Sequence, residues 1–172
     1  MSGAFRAIAA AAAFAAAGCG PMHRANPRGE RRAYAQVTKD TAVADLDAAV
    51  PGSRARLDEA PGWAVFSTVG ARVFVGEEPG GFGIAHDTKS GAETYMRMSE
   101  PSYGAGLGSE QFRAVFVFGD EKTFRRFVDD GWEFRTDDPD PAIEVFQLTA
   151  NGSELTAPTL AGTKFWRDKS LN

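Results

Sequence analysis

The chain of 172 residues has one cysteine, two histidines and no excess of positive charge. A single thiol excludes an intramolecular disulfide framework, and a chain of this length buries roughly two-thirds of its unfolded surface without such staples. The longest apolar run near the N-terminus, the 11 residues from Ala7 to Ala17, falls well short of the roughly 20 that a membrane-spanning helix needs. A formal charge of −4 and a pI near 5.2 argue against a broad electropositive face for nucleic acid. Glycine is plentiful instead, at 19 residues. These glycines follow neither a collagen-like period nor a biased tract, and they sit in short groups among apolar and aromatic residues. The fold therefore calls on glycine backbone geometry.

Arg6 followed by the apolar run Ala7 to Ala17 has the form of a secretory signal. The residues Ala16-Ala17-Gly18-Cys19 resemble a bacterial lipobox, with alanine where leucine is usual three places before the cysteine. In such a motif small residues fit the peptidase groove and the thiol takes a diacylglycerol, so Cys19 is the expected lipidation site and first mature residue. Acyl chains contribute about 0.8 kcal/mol per buried methylene, and two or more chains hold firmly where one holds marginally. The expected location is the bacterial cell envelope, lipid-anchored and facing the periplasm, at the outer rather than the inner membrane. Ordinary secretory cleavage without acylation would leave the protein periplasmic. Loss of residues 1–18, whose one charged residue is Arg6, leaves 154 residues and makes the formal charge −5. Residues 19–32 contain Pro21, Pro27 and Gly29 with His23, Arg24, Arg28, Arg31 and Arg32, lack apolar periodicity, and read as a tether. Residues 33–172 form the expected domain.

Within that domain, Tyr34, Val37, Val43, Leu46, Ala49 and Val50 recur at helical spacing from about Glu30 until Pro51-Gly52 stops the pattern. Ser53 is the expected N-cap of a short helix around Leu57 that ends at Pro61-Gly62. The period then changes. Residues 63–69, 72–75, 82–86 and 92–98 are short β-prone runs separated by turn residues, and residues 111–118 form the most apolar run. Asp120 is placed to cap a helix of about ten residues that carries Phe124, Phe127 and Val128 on one face. Strands are expected again at 132–135 and 143–149. Asn151-Gly152 suits the positive φ angles of a tight turn, 155–163 would pair back, and Lys164-Phe165-Trp166 closes the sheet. Asn151-Gly152-Ser153 also fits a glycosylation acceptor, but the turn is the better reading beside a bacterial lipobox. The sum is an α+β domain with a mainly antiparallel, strongly curved, barrel-like sheet and two to three helices.

No set of residues in the sequence makes a recognisable catalytic constellation. His23 lies in the tether, which leaves His86 beside Asp87 as the one feature that an enzyme reading rests on. Asp137, Asp138 and Asp140 are the densest carboxylates, yet their intervening prolines do not match a calcium loop, so a solvated acidic loop is expected and no metal. The stretch from Gly76 to Gly83 lacks the lysine of a phosphate-binding loop and runs into a strand, so the glycines are read as devices for strand bends and close approach. No cofactor is expected.

The order of four segments is similar to the SYLF domain family. Ala60-Pro61-Gly62-Trp63-Ala64-Val65-Phe66 resembles its opening strand, and Gly80-Gly81-Phe82-Gly83-Ile84-Ala85 resembles its glycine-rich turn into a strand. Gly104-Ala105-Gly106-Leu107-Gly108-Ser109-Glu110 leading into residues 112–118 resembles its spaced glycines, and Leu160 to Trp166 with Leu171-Asn172 resembles the ending of bacterial members. The resemblance implies a non-enzymatic module that contacts phospholipid, here with Trp63, Phe66, Gly81, Phe82, Gly83 and Tyr103 as candidate lipid-contact residues. For each aromatic among them, taken individually, a place in the core is the favoured reading. A scaffold with an envelope protein partner, using lipid only as a tether, is the alternative. Asp40, Asp45 and Asp47 on the first helix depart from the basic helix of phosphoinositide-binding members, and the acidic segments Glu77-Glu78-Pro79 and 137–141 depart as well. Neither phosphoinositide nor actin binding carries over.

Overall fold

The computed structural model describes residues 27–71, 80–99, 111–154 and 160–172. The described elements run α1 (Pro27–Ala49), α2 (Ser53–Glu59), β1 (Gly62–Ser67), β2 (Gly81–Asp87), β3 (Glu93–Met98), β4 (Phe112–Phe118), α3 (Glu121–Asp130), β5 (Trp132–Glu133), β6 (Ile143–Thr149) and β7 (Lys164–Arg167). All seven strands join one antiparallel sheet in the order β5-β7-β3-β2-β1-β4-β6. It curves strongly into a half-barrel, and the architecture is the expected α+β.

Helices cover both faces of the central strands, which is why β1, β2 and β4 are apolar nearly throughout instead of alternating. On one face Phe66 and Phe116 of the sheet meet Phe127 of α3 and Phe165 of β7. The Phe165 ring meets those of Phe66 and Phe116 edge to face, with centroids 4.6 Å and 5.1 Å apart. A fully buried phenylalanine contributes about 1.5–3 kcal/mol by area alone, so this cluster is a principal source of stability. On the other face Leu46 of α1 and Leu57 of α2 pack over Val65, Val115 and Leu148.

The expected use of glycine is visible in β2. A Cβ on Gly81 would lie 2.5 Å from the Ser67 carbonyl oxygen and 2.8 Å from Met98 Cγ, and one on Gly83 would enter the Phe66 ring. The neighbouring side chains lie across the bare strand, and the sheet can bend there.

Asp120 caps α3 as expected, its carboxylate accepting from Thr123 N at 2.7 Å. Gly152 takes a φ of 86° in the turn after β6, where Thr149 N donates to the Ser153 oxygen at 2.8 Å. Two expectations need correction. Ser53 is not the N-cap of α2: Gly52, at φ 83°, occupies that place, and Ser53 is the first helical residue with its hydroxyl buried and unbonded. Gly52 can adopt the left-handed turn that reverses the chain, so the cap moves one residue earlier. The second concerns the tether, because α1 begins at Pro27 and includes the last six residues of the 19–32 segment. Arg28 Nη2 donates to the Asn172 main-chain oxygen at 2.6 Å and Arg32 Nε to that of Leu171 at 2.8 Å, which anchors the first turns. β5 is shorter than 132–135, although Phe134 N still donates to the Thr163 oxygen at 2.9 Å. The strand expected at 72–75 and residues 155–159 of the one expected at 155–163 lie outside the described residues.

Candidate functional site

At one end of the sheet, three side chains occupy a single rung. Trp63 of β1 is in register with His86 of β2, and His86 is in register with Glu93 of β3. Strand alternation puts all three on the face that α1 covers. The Trp63 and His86 rings lie 4.7 Å apart at 32°. From α1, Lys39 Nζ donates to Glu93 Oε1 at 2.5 Å and to Gln36 Oε1 at 2.9 Å, and Gln36 donates to the other Glu93 oxygen and to the Tyr95 hydroxyl at 3.2 Å.

This packing sets the charge states. Burial pushes the His86 pKa down, and Lys39 adds to that effect against the opposing influence of Glu93 and Asp87. Burial alone would raise the Glu93 pKa, but hydrogen bonds from Lys39 and Gln36, with the Lys39 charge, outweigh it and hold the carboxyl below its ordinary value. Near neutral pH the rung therefore carries a Lys39–Glu93 ion pair beside a neutral imidazole. His86 Nδ1 stands 3.8 Å from Glu93 Oε1, beyond hydrogen-bond range.

A cleft of about 530 Å³ opens beside the rung, between α1, α2 and the ends of β1 and β2. Val43, Ala44, Leu57, Trp63, His86 and Thr88 supply its less charged wall, and Lys39, Asp40, Asp47, Arg54 and Asp58 supply its charged groups. Lys39 is committed to Glu93, and Arg54 pairs with Asp58 at 3.5 Å.

Asp87, next in the chain to His86, belongs to a different structure. Its carboxylate accepts from Ser90 N at 2.8 Å in the β2–β3 turn and from Arg125 Nη2 of α3 at 2.6 Å. The Ser90 hydrogen bonds, aided by the Arg125 charge, hold the Asp87 carboxyl below its ordinary value. The pair that an enzyme reading rested on is therefore split across the sheet.

The candidate lipid-contact residues that are described lie on both faces of the sheet. Phe66 is fully buried on the α3 face, with Gly81 and Gly83 beneath the side chains that cross them. Phe82 is 1% exposed on the α1 face and packs 5.6 Å from the Tyr34 ring. Trp63 is half-buried and lines the cleft. Tyr103 and Cys19 lie outside the described residues. Sequence reasoning missed Gln36, Lys39 and Glu93, whose polar side chains look like ordinary solvent-facing positions until α1 is laid over β2 and β3. In the acidic loop, Asp137 pairs with Arg135 at 2.9 Å and Asp140 with Arg126 at 2.5 Å. No group of three or more potential metal ligands occurs among the described residues.

No family model matches the chain. The chain is 28% identical over 156 residues to beta cell expansion factor A of Aeromonas veronii, an alignment that covers 83% of this chain and 59% of the relative. It thus spans less than two-thirds of that protein's length. No described helix is long and apolar enough to cross a membrane.

Proposed function

We propose that this is a non-enzymatic, lipid-anchored bacterial envelope protein whose SYLF-like domain contacts phospholipid. The observation that carries the reading is the apolar run Ala7 to Ala17 ending at Gly18-Cys19, where acylation would supply a firm anchor without a transmembrane helix. The order of the four SYLF-like segments supports the second half of the proposal. A surface feature suits it too: Trp166 on β7 is 39% exposed, with the Arg97 guanidinium 6.0 Å from its ring and exposed Lys164 two residues before it. An exposed indole flanked by cations fits the boundary between headgroups and acyl chains. The non-enzymatic part is supported by the separation of His86 from Asp87.

Co-sedimentation with anionic vesicles at low salt tests the proposal, using the chain from residue 20 onward so that acylation contributes nothing. Association that falls with salt and with Trp166→Ala fits lipid contact. A domain that ignores vesicles and instead crosslinks to one envelope protein supports the scaffold reading, in which lipid serves only as a tether.

A further inference from the structure

We propose that His86 is a proton-operated switch on the docking of α1, in which the protonated imidazole takes Glu93 and Lys39 crosses to Asp40. The role is independent of lipid contact by the domain. His86 Nδ1 lies 3.8 Å from Glu93 Oε1, the same oxygen accepts from Lys39 Nζ at 2.5 Å, and Lys39 Nζ lies 3.6 Å from Asp40 Oδ1. One cation thus stands between two carboxylates, with an imidazole beside the first. The Nδ1 atom is buried and has no hydrogen-bond partner, which calls for an explanation. A second protonation state supplies one. An imidazolium carries N–H at both ring nitrogens, so Nδ1 becomes a donor beside Glu93 whichever tautomer preceded it. A small turn of either side chain closes 3.8 Å to hydrogen-bond range.

Charge balances in both states. With a neutral imidazole, Lys39 pairs with Glu93 and leaves Asp40, whose side chain is 75% exposed, largely to water. With an imidazolium, His86 pairs with Glu93 and Lys39 with Asp40. If Lys39 stayed in place, two cations would crowd one carboxylate oxygen, and their repulsion drives the exchange. Burial and the Lys39 charge both oppose protonation of His86 while Glu93 favours it, so proton uptake and departure of Lys39 assist each other. The other charged groups around the ring are already committed or more distant. Asp87 is on the opposite face with Arg125, Arg54 and Asp58 of α2 pair with each other, and Asp47 is about two turns beyond Lys39 on α1. From β1 the ring meets uncharged Trp63.

The consequence falls on α1. Lys39 ties this helix to β3 through Glu93, and it also braces Gln36 by donating to its Oε1 at 2.9 Å. Asp40 is the next residue of the same helix, so a Lys39–Asp40 pair holds nothing across the interface. After the exchange, the Gln36 hydrogen bonds to Glu93 and Tyr95 are what remains of this polar connection. Because α1 begins inside the segment expected to be the tether, acid loosens the domain close to that segment.

The test is a pH titration of the isotope-labelled chain from residue 20 onward, which retains every described element. Imidazole, carboxyl and Lys39 side-chain chemical shifts are followed from about pH 8 down to the range where free carboxyls protonate. The expected result is that the Lys39 side chain and the Asp40 carboxyl move with the His86 midpoint, before Asp40 itself titrates. Lys39→Gln raises that midpoint. Asp40→Asn lowers it, and does so far less in the Lys39→Gln background, because the carboxylate acts through Lys39. Asp40 is exposed, so its variant keeps the fold. Amide exchange over residues 36–39, corrected for the intrinsic rate, becomes about threefold faster across the His86 transition, as loss of a single ion pair near the surface allows. His86→Asn abolishes both the linked shifts and the faster exchange. Lys39 and Asp40 signals that stay still while His86 titrates overturn the proposal. So does an Asp40→Asn effect of equal size with and without Lys39, or an acid response that survives in His86→Asn.

Discussion

His86 and Asp87 are consecutive in the chain and serve opposite faces of the sheet. The imidazole stacks on Trp63 under α1, and the carboxylate ties the β2–β3 turn to Arg125 of α3. Asp87 is therefore a structural residue that fastens a hairpin and a helix together. Asp87→Ala is expected to lower unfolding free energy by about 1–3 kcal/mol, since it removes a buried carboxylate that accepts from Ser90 N and Arg125. Urea denaturation measures it, and an unchanged midpoint would remove the structural role.

The neutral state of His86 gives the fold a pH dependence of known sign. Its folded pKa is depressed below the ordinary 6.5 by burial, so the unfolded chain binds more protons between the folded value and 6.5. The stabilisation is fully present above 6.5 and is lost as pH falls from there through the folded pKa. His86→Asn should flatten that part of the stability profile relative to the parent. Parallel profiles for the two proteins would show that His86 does not titrate differently on folding.

Gly83→Ala is expected to destabilise by roughly 1–3 kcal/mol, because a methyl there must displace the Phe66 ring from its packing on β2. Adding Phe66→Leu should recover part of the loss and make the two effects non-additive. Additive losses in thermal unfolding would mean that the ring and the glycine do not share the space.

Asn172 substitutes for a strand neighbour of β3. Its side-chain oxygen accepts from Tyr95 N at 3.0 Å, and its Nδ2 donates to the main-chain oxygens of Tyr95 at 2.8 Å and Asp168 at 2.7 Å. Asn172→Ala should cost about 1–2 kcal/mol and raise amide exchange at Tyr95 first. Unaltered protection of that amide would contradict the assignment.

These relationships also explain what the sequence could reveal. Asp120, Asn151-Gly152 and the apolar run Phe112–Phe118 act within a few residues of themselves, so their roles are readable from local pattern. The glycines of β2 were legible as sites of close approach, though not which rings would cross them. The start of α1 was hidden because Arg28 and Arg32 are anchored by partners 144 and 139 positions away. The rung was hidden for a related reason. Trp63, His86 and Glu93 meet through the registers of three strands, and Lys39 reaches them only once α1 is docked. The adjacency of His86 and Asp87 pointed attention to a pair that strand alternation separates.

The central claim is that the domain contacts phospholipid in addition to being anchored by Cys19. Vesicle co-sedimentation of the unacylated chain from residue 20 onward tests it most directly. The account predicts association with anionic vesicles at low salt that weakens with added salt and with Trp166→Ala. Protein left wholly in the supernatant under those conditions would contradict it.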